Sequence, residues 1–299
     1  MSLGIFAAIS SAVCCGFIPV ITKWMQNTGM TSVEVLFYRF GFVFIMAGLW
    51  LLFKREDFRI NLRQLLALAG MTVFGYGGST LLLATSFNDL PIGLATMLYF
   101  SYPLFVLIIM TLIFKEKLTR FKAVSFGLAV FGIFCLMHFN FDLFNIGSVF
   151  ALGSGLAYAI YLVGIQKSSV KTMNSLMIVF YLAGFSCIFF AAQGLAAGTP
   201  DFLAIDGGQL FLGALIGGIT VYVLGAIAYA IRRVGSTKTS LIISFEAVVS
   251  LVLGILIFDD PWTPLTWVGA ALMTLAVVMI TREDAQETLS DQEWEAEHE

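Results

Sequence analysis

The stretch LGIFAAISSAVCCGFIPVITKW, residues 3–24, carries a single charged side chain, Lys23, close to its end. As a helix it would rise about 33 Å, enough to cross the roughly 30 Å hydrocarbon core of a bilayer. Nine more stretches of this kind follow, at 32–53, 65–87, 91–114, 121–138, 147–166, 174–193, 209–231, 236–258 and 264–281. They fill the 299 residues almost end to end and leave only short loops. The composition agrees: 59% of residues are hydrophobic and 12% are charged, against about 25% charged in soluble domains. The sequence predicts an all-α membrane protein with ten transmembrane helices. No stretch is left for a separate soluble catalytic or nucleotide-binding domain. The first apolar run lacks a basic leader, so it reads as a retained helix rather than a cleaved signal peptide.

The basic residues set the expected topology. Lys54, Arg55, Arg59 and Arg63 follow the second stretch, and Lys115, Lys117, Arg120 and Lys122 follow the fourth. Lys167 and Lys171 follow the sixth, Arg232, Arg233 and Lys238 the eighth, and Arg282 the tenth. With ten crossings, all fourteen fall on the side of the N-terminus. Only Lys23 falls on the other side, among Asp89, Asp142, Asp201, Asp206, Asp259 and Asp260. The positive-inside rule then places both termini in the cytoplasm. The segment 282–299 holds eight of the nineteen acids and reads as a solvated cytoplasmic tail.

The chain also repeats itself. A shift of 144 residues carries Leu112-Ile113-Phe114 onto Leu256-Ile257-Phe258, Thr119 onto Thr263, and Leu107 onto Leu251. A shift of 143 carries Gly4 onto Gly147 and Ser11 onto Ser154. It also carries the small-residue ladder Ala8, Ala12, Gly16 onto Ala151, Gly155, Ala159. Such ladders let helix backbones approach closely in lipid. Each unit, 3–138 and 147–281, has five expected helices. An odd number means that the second unit enters the membrane from the opposite side. The fold class expected is therefore two inverted five-helix repeats around a central cavity, the architecture of secondary transporters.

Two charges lie deep in these stretches. Arg39 sits about 10 Å into the second helix from its outer end, and Glu246 lies near the middle of the ninth. A charge at that depth costs several kcal/mol unless paired or hydrated, so each marks a candidate functional site. They could pair with each other. Arg39 could instead anchor a carboxylate while Glu246 serves an ammonium or a proton. Either could also simply tie helices together. Glu34, nearer the surface, reads as interfacial. Mid-membrane phenols need partners, which singles out Tyr76, Tyr99, Tyr102, Tyr158 and Tyr222 as candidate cavity walls. Gly77, beside Tyr76, and the pair Gly217-Gly218 suggest a hinge or close packing in related helices. Pro19 and Pro103 can kink their helices. Cys14, Cys15, Cys135 and Cys187 show no metal or redox spacing and read as small hydrophobes. His138 reads as structural.

Several short segments carry a family resemblance. They are Phe37-Tyr38-Arg39-Phe40, Tyr102-Pro103-Leu104-Phe105, Phe114-Lys115-Glu116-Lys117-Leu118-Thr119 and Ala157-Tyr158-Ala159-Ile160-Tyr161. Over about residues 4–281 the chain resembles EamA-type members of the drug/metabolite transporter superfamily. It departs from the family pattern at Ser244-Phe245-Glu246-Ala247-Val248, where Ala247 stands in place of a usual proline. The resemblance implies ten helices, cytoplasmic termini and transport of small metabolites, with amino-acid export a frequent role among bacterial relatives.

Other classes fit less well. A membrane enzyme would need a convergent catalytic set at membrane depth, such as paired aspartates or an HExxH helix, and a primary pump would need a phosphate-binding loop; none of these is found. Channels normally use pore rings that are not evident here. The expected protein is a secondary transporter in the bacterial inner membrane that most readily exports amino acids, with drugs or other amphipathic metabolites as the alternative cargo. A receptor or enzyme is the more distant alternative. No cofactor, metal or nucleic-acid partner is expected; the partners are a small-molecule substrate and the bilayer, in a monomer or homodimer.

Overall fold

The computed structural model describes residues 2–56, 58–115, 120–136, 145–170, 173–196, 205–234, 245–276 and 278–279. All regular structure among them is helical. In chain order the helices are α1 (Ser2–Asn27), α2 (Ser32–Lys54), α3 (Leu62–Met71), α4 (Gly77–Ser86), α5 (Ile92–Tyr99) and α6 (Tyr102–Leu112). They continue as α7 (Arg120–Leu136), α8 (Ile146–Lys167), α9 (Ser175–Ala196), α10 (Gly207–Val234), α11 (Glu246–Phe258) and α12 (Pro264–Ala276). Seven helical stretches among the described residues are long and apolar enough to cross a bilayer, and three shorter apolar helices accompany them. The chain is a multi-pass helical membrane protein. Large apolar side chains such as Phe53, Leu112, Leu195 and Leu256 point outward, as a lipid-facing surface requires.

Local chemistry fixes several boundaries. Gly29, at φ +95°, makes the turn after α1. Thr31 caps α2: its hydroxyl accepts from the Glu34 amide, while the Glu34 carboxylate accepts from the Thr31 amide at 2.6 Å. Glu34 is thus a capping residue. Asn145 caps α8 by accepting from the Ser148 amide.

Two expected helices are interrupted. The third, expected at 65–87, contains a wide π-turn at Thr72–Tyr76 between α3 and α4. Gly75 there has φ −116° and ψ −109°, and a β-carbon on it would meet Tyr161 Cβ at 2.9 Å. Glycine lets this bulge press directly on α8. The fourth, expected at 91–114, breaks at Phe100-Ser101 into α5 and α6, with Pro103 in the first turn of α6. Proline has no amide to carry the α5 hydrogen-bond ladder onward, so the break falls where the sequence expects a kink. Pro19 lies inside α1, which continues through it. Glu246 stands in the first turn of α11, not near the middle of a helix spanning 236–258; residues 235–244 lie outside the described residues. So do His138 and the acidic segment 282–299.

The packing interleaves the two halves of the chain. α1 packs most extensively on α10, and α2 on α9 and α10. α8 lies against α4, α5 and α6, and α11 against α1 and α5. One apolar cluster joins Met97, Leu104, Leu136, Leu251 and Met273. Another joins Ile21, Met25, Val35 and Ile216.

Candidate substrate cavity

These packings enclose a cavity of about 210 Å³. Its wall draws on both halves of the chain. Cys15 and Pro19 come from α1, Arg39 and Phe40 from α2, Tyr76 from the π-turn, and Ser79, Thr80 and Leu83 from α4. Thr96 and Tyr99 come from α5, Tyr102 from α6, Tyr158 and Tyr161 from α8, Leu182 from α9, Thr220 from α10, and Glu246 from α11.

Arg39 is 8% exposed, and its Nε has no hydrogen-bond partner among the described residues. Its guanidinium carbon lies 5.4 Å from the Phe40 ring centroid. Glu246 faces the same cavity beside the Cys15 thiol, so α1 meets α11 at the carboxylate. The first turn of a helix suits a carboxylate, because the unpaired amides there carry partial positive charge. Arg39 and Glu246 line the same cavity and act on each other electrostatically.

The tyrosines form one connected wall. Tyr102 meets Tyr158 at 4.9 Å between centroids, nearly edge-on at 84°. Tyr99 lies 5.4 Å from Tyr158 and 5.6 Å from Tyr102. Tyr76 lies 5.2 Å from Tyr161, which is 5.6 Å from Tyr158. Such offset and edge contacts suit the ring quadrupoles. None of these five phenol oxygens is hydrogen-bonded among the described residues, so their polarity is available to the cavity.

The structure thus gathers Arg39, Glu246, Tyr76, Tyr99, Tyr102, Tyr158 and Pro19 around one space. It does not bring Tyr222 there. Tyr222 is 48% exposed on α10, and its hydroxyl hydrogen-bonds Ser10 at 2.8 Å. That bond gives the phenol a partner between α1 and α10, so it needs no cavity. Pro103 sits at the α6 start beside Tyr102. Gly77 follows the π-turn, where a β-carbon would meet the Thr72 carbonyl at 2.5 Å. Gly217 and Gly218 lie within an unbroken α10. Gly217 presses on α2, since a β-carbon there would come within 2.6 Å of Phe42 Cβ.

Several wall residues fall outside the sequence-based candidates, Tyr161 and Cys15 among them. Tyr161 lies three residues after Tyr158, so helical spacing places both on one face. Cys15 lies four residues before Pro19 on the same face of α1. Its apolar neighbours mask it as a core residue, and no sequence signal points to Glu246 as its partner.

Fold and cavity define a membrane transporter: a helical bundle around a small, largely apolar space that holds a few polar groups and two charged side chains. The family profile of the EamA-like transporter family matches residues 2–138 and again residues 145–282. The chain belongs to this family, within the drug/metabolite transporter superfamily. It is 25% identical to the S-adenosylmethionine uptake transporter of Rickettsia felis over 268 residues, 87% of this chain and 86% of that one. It is 26% identical to Protein RarD of Streptomyces exfoliatus, covering 89% of this chain and 84% of that one. It is also 26% identical to the uncharacterized inner membrane transporter YhbE of Escherichia coli K12, covering 83% and 79%. A solved crystal structure aligns with 96% of this chain and 99% of its own at a TM-score of 0.62. At 12% identity that likeness is one of fold.

Proposed function

We propose that this protein is a secondary transporter that exports amino acids across the bacterial inner membrane by alternating access. Arg39 holds the substrate carboxylate, Glu246 faces its ammonium group, and the tyrosine wall accommodates the side chain. One observation carries this reading: a single small cavity is lined by both a buried cation and a carboxylate, from different helices. A zwitterion can meet both, and each of its charges recovers the solvation it loses on leaving water. The volume favours small metabolites over drug-sized cargo, whose pockets run from about 300 Å³ upward.

Alternating access rests on the proposed inverted repeat of residues 3–138 and 147–281, with ten crossings and both termini in the cytoplasm. The family profile's two matched segments support it. The packing supports it too. If each helix is exchanged for its counterpart in the other half, α1 on α10 becomes α8 on α4. Likewise α1 on α11 becomes α8 on α5 and α6, and α2 on α10 becomes α9 on α3 and the π-turn. These principal packings map onto one another.

The experiment is uptake of a labelled amino-acid panel into proteoliposomes, with and without a proton gradient. Saturable uptake of one or a few amino acids supports the reading, and its gradient dependence separates a coupled carrier from a uniporter. Absence of uptake across the panel by folded protein overturns the substrate class. S-adenosylmethionine belongs in the panel as a second reading. Several relatives carry that substrate in their names, it is itself a zwitterion, and its sulfonium could rest on tyrosine faces.

A further inference from the structure

Beyond the cavity, at the end of the bundle opposite the basic loops, a second polar cluster joins the two halves. Lys23 on α1 donates to the Phe87 carbonyl just after α4. The carboxylates of Asp260 and Asp89 both act on its ammonium. Asp260, in the loop after α11, accepts from the Gly93 amide in the first turn of α5 at 3.4 Å. It packs so closely on α11 that a β-carbon on Gly254 would meet its Oδ2 at 2.5 Å. Asn145 at the head of α8 donates to the Asp89 carbonyl at 3.1 Å. Desolvation holds the Asp260 carboxyl above its ordinary range, opposed by the amides it accepts from and by Lys23.

The position of this cluster matters more than its strength. On α1, Pro19 lines the cavity and Lys23 lies four residues on. On α4 the last lining residue is Leu83, and Phe87 lies four residues on. On α5, Thr96 lines the cavity and Gly93 lies three residues before it. Each step is about one helical turn, roughly 5–6 Å. The cluster therefore caps the cavity one turn beyond its end, where three helices would have to part for a substrate to pass. The 144-residue offset that relates α6 to α11 carries Asp260 onto Glu116, while the 143-residue offset that relates α1 to α8 carries Lys23 onto Gln166, next to Lys167. A carboxylate thus recurs, with a lysine one residue from the matching position, where an inverted repeat assigns the opposite end.

We propose that Lys23, hydrogen-bonded to the Phe87 carbonyl within the field of the Asp260 and Asp89 carboxylates, is the bolt of a gate that closes the cavity on the side away from the basic loops. Opening that side requires Lys23 to leave Phe87 and this field, so the cluster sets the balance between the two access states. This rests on the transporter reading above.

The test needs no substrate, because Cys15 lines the cavity and reports its access. In full-length protein with Cys14, Cys135 and Cys187 replaced by alanine, labelling of Cys15 by a membrane-impermeant thiol reagent is timed from each side of sealed vesicles. Cys15 is expected to label from the basic-loop side and to be protected from the Lys23 side. Lys23→Gln and Asp260→Asn should each raise labelling from the Lys23 side by about tenfold, and the exchange Lys23→Asp with Asp260→Lys should restore protection. Unchanged labelling in folded single variants, or rapid labelling of the parent from the Lys23 side, overturns the gate alone. Protection of Cys15 from both sides in every variant overturns the gate and removes the cavity from any transport path. If the single variants fail to fold, the charge exchange decides: equal labelling of exchanged and parent protein supports the pair, and loss of protection contradicts it.

Discussion

Tyr158 on α8 stands edge-on to Tyr102 on α6, with ring centroids 4.9 Å apart. This contact joins the two halves of the chain at the wall of the cavity, next to the break between α5 and α6. The ring supplies packing and the hydroxyl supplies polarity, so the two are separable. Tyr158→Phe should leave thermal stability within about 0.5 kcal/mol of the parent while weakening transport. Tyr158→Ala should also cost at least about 1 kcal/mol of stability, because it removes several ring contacts. Thermal denaturation in detergent and transport kinetics, measured on both variants, check the separation.

Arg39 is expected to need its planar fork as well as its charge. A guanidinium can hold a carboxylate through two parallel hydrogen bonds, and an ammonium cannot. Arg39→Lys should therefore raise KM for a zwitterionic substrate by about tenfold or more, the effect of losing one charge-assisted hydrogen bond. Arg39→Ala should abolish transport. Wild-type transport by well-folded Arg39→Ala protein would exclude the anchor role.

Glu246→Gln keeps the shape of the side chain and removes its charge. Transport should fall. If Glu246 carries the coupling proton, the remaining transport should also lose its dependence on pH between 5 and 8. A variant that keeps the parent pH profile would place coupling elsewhere. Cys15→Ala removes the thiol beside Glu246 and should change this profile without abolishing transport.

The paired glycines of α10 give a contrast within one helix. A β-carbon on Gly217 would meet Phe42 Cβ at 2.6 Å, whereas one on Gly218 would find only the flexible end of Met46 at 3.9 Å. Gly217→Ala should destabilise the protein by about 1–3 kcal/mol by prising α10 from α2. Gly218→Ala should be near neutral or slightly stabilising, since alanine favours the helix. Equal effects at the two positions would point to a hinge rather than to packing.

The sequence carried the class of the protein because bilayer thickness imposes a length that apolar stretches report directly. It also singled out Arg39 and Glu246, because a charge inside such a stretch has few uses, and both line the cavity. Pro103 marks the break in the fourth expected helix, but the interruption of the third was not legible. The π-turn at Thr72–Tyr76 depends on how Gly75 presses on Tyr161, a contact between residues far apart in the chain. Tyr222 misled for a related reason: its partner, Ser10, lies 212 residues away. Cys15 was hidden because cysteine is as much at home in an apolar core as beside a carboxylate. Only the packing of α1 on α11 distinguishes the two.

The most direct test of the central claim is counterflow of a labelled amino acid in proteoliposomes, comparing the parent with Arg39→Ala and Glu246→Gln. The account predicts saturable counterflow by the parent, none by Arg39→Ala and a reduced rate in Glu246→Gln, with all three proteins folded. Equal counterflow by all three would contradict it and would leave the cavity without the role proposed for its charges.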